Sequence, residues 1–123
     1  MGFPPVLRER RRYIAFELMS KARFTGNQIV QSIKQEVLEF LGEVGYADAD
    51  FEIVFYDPDS KLGIARTTDK MEGRVVTAIT LLPAILGKKA GIKVLGVSGT
   101  INKAKTKFLS KNLLNREKQI IER

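Results

Sequence analysis

The apolar residues of this chain switch between two periods in an order that few folds accommodate. Residues 13–19, YIAFELM, alternate: Ile14, Phe16 and Leu18 face one way, and Tyr13, Ala15, Glu17 and Met19 the other. That pattern predicts a half-buried strand. Residues 24–44 then take helical spacing, with Ile29, Ile33, Val37, Phe40, Leu41 and Val44 on one stripe. Thr25 and Gln28 form a capping box, Phe24 and Ile29 occupy the staple positions around it, and Gly45 supplies a stop.

Alternation returns at Phe51–Tyr56, with Phe51, Ile53 and Phe55 on one face. Asp57-Pro58-Asp59-Ser60 reads as a turn, because proline presets the dihedral of the second turn position. A third strand at Leu62–Thr67 completes a hairpin. Asp69 with Glu72 reads as a second capping box. Met71, Val75, Ala78, Ile79, Leu82 and Leu86 make a second helical stripe, which Pro83 kinks or restarts and Gly87-Lys88-Lys89 closes. Residues 92–98, IKVLGVS, are a fourth strand. From Thr100 the chain is polar, basic and helical, with Phe108, Leu109, Leu113, Ile120 and Ile121 as its apolar content.

The order β-α-β-β-α-β predicts an α+β class, the ferredoxin-like or RNA-recognition-motif-like sandwich with a C-terminal helical extension. Right-handed crossovers give an antiparallel sheet in order 4-1-3-2 with both helices on one face. The other face then holds Tyr13, Ala15, Met19, Val54, Tyr56, Leu95 and Val97. Left bare, that patch exceeds what a monomer usually exposes, so either Phe108–Leu114 or a protein partner covers it. The chain divides into a basic arm (1–12), the domain (13–100) and a basic helical extension (101–123).

What the 123 residues lack excludes several chemistries. There is no cysteine, histidine or tryptophan. Disulfides, thiol nucleophiles, histidine bases and Cys or His metal sites are therefore absent from this sequence. No apolar run is long enough for a transmembrane helix, and no apolar stretch after the basic start is long enough for a signal peptide. The expected compartment is the cytoplasm.

The formal charge of +7 is uneven. Residues 1–12 set Arg8, Arg10, Arg11 and Arg12 against Glu9, and residues 101–123 set seven cations, Lys103, Lys105 and Lys107 among them, against two acids. Between lie ten basic and eleven acidic residues. Two basic ends on a nearly neutral body point to a polyanion, nucleic acid ahead of anionic membrane. In a 4-1-3-2 sheet the start of the first strand adjoins the end of the fourth, so the two ends meet in one basic patch. Like charges gathered there repel, and a phosphate backbone would offset that.

Sites for small molecules are poorly signalled. The third strand, KLGIARTT, has no aromatic for base stacking, and Tyr13 and Tyr56 read as packing residues with a wet hydroxyl. The loop SKARFTGN holds Arg23 but only one glycine, Gly26, where a phosphate cradle needs several converging N–H groups. Asp48, Asp50 and Glu52, and Asp57 with Asp59, lack calcium-loop spacing and read as solvated turn residues. No metal site and no catalytic acid–base pair stands out. Ser98-Gly99-Thr100 ends a strand where a basic helix begins: Gly99 allows a tight bend, and Ser98 or Thr100 can cap the helix or sit beside a bound phosphate.

RRYIAFEL on the first strand, GIAR on the third and VLGVSGTINKAK at the fourth resemble the ribonuclease P protein component 2 family of archaea, which has relatives in eukaryotic ribonuclease P and ribonuclease MRP. The resemblance runs from about residue 10 to residue 110. It implies an RNA-binding protein subunit of a ribozyme, the endoribonuclease that removes the 5′ leader of precursor tRNA. The RNA subunit performs the magnesium-dependent hydrolysis and the protein supports its active form, inactive alone and holding no cofactor. It also implies as partners the catalytic RNA, precursor tRNA, protein component 3 and other small subunits, with a possible homodimeric core. Arg12, Tyr13, Arg66, Ser98, Gly99 and Thr100 carry over as motif positions with RNA or scaffold roles. With Arg8, Arg10, Arg11, Lys103, Lys105 and Lys107 they make the candidate RNA surface, Tyr13 aside as packing. The alternative reading is a ribosomal-type RNA-binding scaffold, and a metabolite-binding domain is a distant third.

Overall fold

The structure, a computed structural model, describes residues 10–109. Arg8 with the rest of residues 1–9, and the expected extension beyond Leu109, lie outside the described residues.

The chain forms β1 (Arg11–Met19), α1 (Gly26–Ala49), β2 (Glu52–Asp57), β3 (Leu62–Thr68), a 3-10 turn at Asp69–Met71 and α2 (Glu72–Thr80). Then come two-residue strands β4 (Ala84–Ile85) and β5 (Lys88–Lys89), β6 (Gly91–Ser98), α3 (Ile101–Ala104) and a π-helical turn at Lys105–Leu109. The main sheet runs β2-β3-β1-β6 with antiparallel neighbours, which is the expected 4-1-3-2 order with β6 as the fourth strand. Among the described residues no helix is long and apolar enough to cross a membrane.

Both crossover helices pack on one face. Ile14, Phe16 and Leu18 of β1 meet Ile29, Ile33 and Val37 of α1 and Val75, Ala78 and Ile79 of α2. Phe16 lies across Gly63, its cross-strand partner, and stacks on Tyr56 with ring centroids 6.2 Å apart. A Cβ on Gly63 would sit 2.5 Å from that ring, so the glycine makes room for it.

The capping box at the start of α1 forms as expected: Thr25 Oγ1 accepts the Gln28 N–H and Gln28 Oε1 accepts the Thr25 N–H. The end differs. The helix breaks at Gly42 (φ 75°, ψ 172°), not Gly45, then resumes to Ala49 and closes on Asp50 in the left-handed region. Phe40 and Val44 are consequently exposed, the latter by 79%. The second stripe is also shorter than expected. α2 ends at Thr80, and residues 84–89 form a hairpin instead of a last helical turn. Pro83, with no N–H to offer the helix, separates the two. Leu86 (φ 50°) and Gly87 (φ 78°) make its tight turn, as a primed turn requires. The Asp69–Glu72 box does not form: a 3-10 turn intervenes and Asp69 pairs elsewhere.

Each edge strand carries one extra residue. In β2 the register moves from Ile53↔Ala65 to Phe55↔Ile64, leaving Val54 over; in β6 it moves from Ala15↔Gly96 to Phe16↔Val94, leaving Leu95 over. A bulge reverses the alternation beyond it. Phe55 thus leaves the face of Phe51 and Ile53, and Tyr56 and Val97, expected on the open face, pack against the helix-side core.

The open face is covered from within the chain. Ile101, Ala104, Phe108 and Leu109 pack on Tyr13, Ala15, Val54, Phe55, Ile64 and Leu95. The Phe108 ring lies on Gly96, where a Cβ would be 2.3 Å away. Ala15 and Gly96, a cross-strand pair, form the shallow seat that lets the chain end dock.

Candidate nucleic-acid interface

The start of β1 lies beside the end of β6, with Tyr13 paired to Ser98. Arg12 reaches over that junction: its Nη1 is 3.7 Å from where a Gly99 Cβ would stand. Arg10, Arg11, Arg12, Tyr13 and Gly99 line a shallow hollow of about 350 Å³. Segments far apart in sequence thus meet at one sheet end.

The Ser98-Gly99-Thr100 corner starts α3. Thr100 is the cap, its Oγ1 accepting the Lys103 N–H at 3.2 Å. Ser98 is buried and its Oγ accepts the Thr100 N–H at 3.5 Å, which steadies the bend. Lys103, Lys105 and Lys107 are exposed on the segment that follows. Lys105 leans over the Phe55 ring, its Nζ 5.1 Å from the centroid, and so sits on the covered face rather than among the arginines.

The arginines are not a bare run of charge. Arg11 pairs with Asp50 at 2.8 Å, Arg12 donates from Nε to Asp69 at 2.8 Å, and Arg66 pairs with Glu52 at 2.7 Å. The Asp69 hydrogen bond, then its charge, raises the already high pKa of the Arg12 guanidinium. Arg10 is exposed, and its carbonyl accepts the Asp69 N–H at 2.7 Å. The repulsion expected from sequence is therefore partly answered inside the chain. Exposed pairs of this kind contribute little to stability. They orient the guanidinium planes at little energetic depth, and a phosphate can replace a carboxylate at a similar level. The Arg66 Nε is buried with no hydrogen-bond partner among the described residues.

Asp50, Glu52 and Asp69 are the residues that sequence reasoning missed here, having been read as turn or capping residues. Asp69 stands 57 positions from Arg12, and no local pattern marks such a pair. Asp57 keeps its turn role, accepting the Asp59 N–H at 3.1 Å and the Ser60 hydroxyl at 2.9 Å. Among the described residues no group of three or more carboxylates could hold a metal. The arrangement offers donors and positive charge along an edge, which suits anion binding.

Comparison with known proteins agrees with this architecture. The Rpp14/Pop5 family profile matches residues 12–109. Ribonuclease P protein component 2 of Pyrococcus furiosus is 43% identical over 107 residues, covering 87% of this chain and 89% of that protein. The namesakes from Methanocaldococcus jannaschii and Archaeoglobus fulgidus are 39% and 32% identical, covering 86% and 88% of this chain and 78% and 96% of their own lengths. A chain of a cryo-EM structure of yeast ribonuclease MRP shares the fold at a TM-score of 0.60 and 11% identity, over 94% of this chain and 96% of that one. Profile and relatives together span the sheet, both crossover helices and the docked chain end: the protein belongs to the Rpp14/Pop5 family.

Proposed function

We propose that the chain is an RNA-binding protein subunit of ribonuclease P, the ribonucleoprotein that removes the 5′ leader of precursor tRNA. The observation that carries this is the family match from Arg12 to Leu109, which takes in every described element of the fold. In this reading the RNA performs the hydrolysis with its own magnesium, and the protein steadies the active RNA conformation. Its partners are the catalytic RNA, precursor tRNA, protein component 3 and further small subunits, arranged around a dimeric core. It works in the cytoplasm.

Arg8, Arg10, Arg11, Arg12, Arg66, Lys103, Lys105 and Lys107 supply charge, and Ser98, Gly99 and Thr100 supply a close backbone approach. The docked chain end supports edge-on binding, since Phe108 and Leu109 occupy the face that recognition motifs use for base stacking.

Reconstitution tests the reading. Protein free of RNA leaves precursor tRNA intact at every magnesium concentration, and adding it to the ribonuclease P RNA and the remaining subunits raises leader removal. Cleavage by RNA-free protein, or no gain on addition, overturns it. Arg11→Ala and Lys107→Ala should each lower the salt slope of RNA binding by about one unit.

A further inference from the structure

The near-neutral body hides a second segregation of charge. Of the ten basic residues between positions 13 and 100, Lys21, Arg23, Lys61, Lys88 and Lys89 sit at the sheet end opposite the arginines. β1 finishes there, β6 begins, and the β2–β3 turn and the β4–β5 hairpin flank them. Of the acids between the same positions, Asp57 and Asp59 share that end, the former held within its own turn, while Glu17 is buried in β1. Glu36, Glu39 and Glu43 lie along α1, and Asp48, Asp50, Glu52, Asp69 and Glu72 gather at the far end. The pairs Arg11–Asp50, Arg12–Asp69 and Arg66–Glu52 lie at that far end.

The basic end is held in shape. Lys61 donates from Nζ to the Ser20 carbonyl at 2.6 Å, and the Ser20 hydroxyl donates to the Lys89 carbonyl at 3.0 Å and accepts the Ala22 N–H at 3.2 Å. These bonds fix the loop after β1 against the hairpin. Lys21, Lys88 and Lys89 then line one hollow of about 810 Å³ with the exposed Met19, and Lys21 and Arg23 line an adjoining one of about 500 Å³. Lys88 Nζ stands 5.9 Å from the Phe24 ring centroid. The hairpin is built with Leu86 in the left-handed region and 64% exposed, a conformation uncommon for leucine. Its bonding holds Lys88 and Lys89 opposite Lys21.

We propose that Lys21, Arg23, Lys88 and Lys89 form a second contact for RNA phosphate backbone, so that one subunit ties together two RNA segments held at opposite ends of the sheet. Resting on the function proposed above, this adds to it a second surface. The nine residues of β1 set the two contacts roughly 26 Å apart. The loop lacks the glycines of a phosphate cradle, so side-chain charge makes the contact and it is salt-sensitive.

The test uses the full chain and an in vitro transcript of the ribonuclease P RNA from the same genome. RNA affinity is measured against salt for wild type, for Lys21→Ala/Arg23→Ala/Lys88→Ala/Lys89→Ala, for Arg11→Ala/Lys107→Ala, and for all six changes together, with circular dichroism to verify folding. The quadruple variant should lose about three to four units of salt slope and the double variant about half as much, adding in the combination. Backbone footprints should show each variant losing protection of a different RNA segment. An unchanged slope and footprint in the quadruple variant, beside a loss in the double variant, overturns the second contact alone. A quadruple variant that binds RNA normally but no longer joins the other protein subunits assigns the surface to an acidic protein partner and also overturns it. Wild type that binds the transcript no better than unrelated RNA defeats the underlying function instead.

Discussion

Gly96 shows how a single absent methyl group sets the fate of the outer face. With Phe108 resting where its Cβ would be, Gly96→Ala should push the ring off the sheet and cost about 1–3 kcal/mol in urea unfolding. In a Phe108→Ala background the same change should cost far less, because the atom it strikes is gone; equal costs in both backgrounds would show that the two residues do not meet. Tyr56 offers a second test. Burial, then the charge of Asp57, raises its pKa above the ordinary tyrosine value. The folded state therefore keeps the proton when the unfolded chain loses it, so stability is intact below about pH 10 and falls above it. The urea midpoint should drop as the pH rises past about 10, and less steeply in Tyr56→Phe. Neither glycine contact could be read from the sequence: GIAR and VLGV mark small residues, but which ring lies on each depends on pairings set across the sheet.

The elements were largely legible. Period and capping residues located four strands and both crossover helices, and their order dictated the sheet. What escaped was the phase within strands and the ends of helices. EIVFYD alternates whether or not Val54 is an inserted residue, so a bulge is silent in the sequence, yet it exchanges the faces that Phe55 and Tyr56 take. TLLPAILGKK continues an apolar helical stripe on paper. In the folded chain Ile85 is buried from a hairpin, while Leu86 occupies a turn position that suits asparagine or glycine. Leu86→Asn should accordingly stabilise the protein by up to about 1 kcal/mol, read as a higher thermal midpoint. A lower midpoint would mean that the exposed leucine makes packing contacts worth more than the backbone strain.

For the molecule as a whole, two apolar clusters share one sheet, and the outer one exists only because the chain returns across it. Removing residues 101–123 would bare Ala15, Ile64 and Leu95 and the rings of Phe55 and Tyr13. The shortened protein should bind a hydrophobic dye and self-associate, visible by light scattering; a monodisperse, dye-free product would show that the sheet does not need its cover. The candidate interface was half legible from the same vantage. Topology set the end of β6 beside the start of β1, as the Tyr13–Ser98 pairing and the Arg12–Gly99 approach show. The carboxylates that answer the arginines were invisible because each stands on a different element from its arginine: Asp50 closes α1, Glu52 opens β2 and Asp69 starts the 3-10 turn.

The bulges at Val54 and Leu95 fall on one level of the sheet, opposite Ile64 and Ala15. Each interrupts the regular ladder of an edge strand and twists it locally, which makes that edge a poor template for another strand. A newly made molecule spends an interval on its own before it assembles. In that interval the unassembled molecules would jostle without zipping into fibrils, and the pool would stay fit to be used.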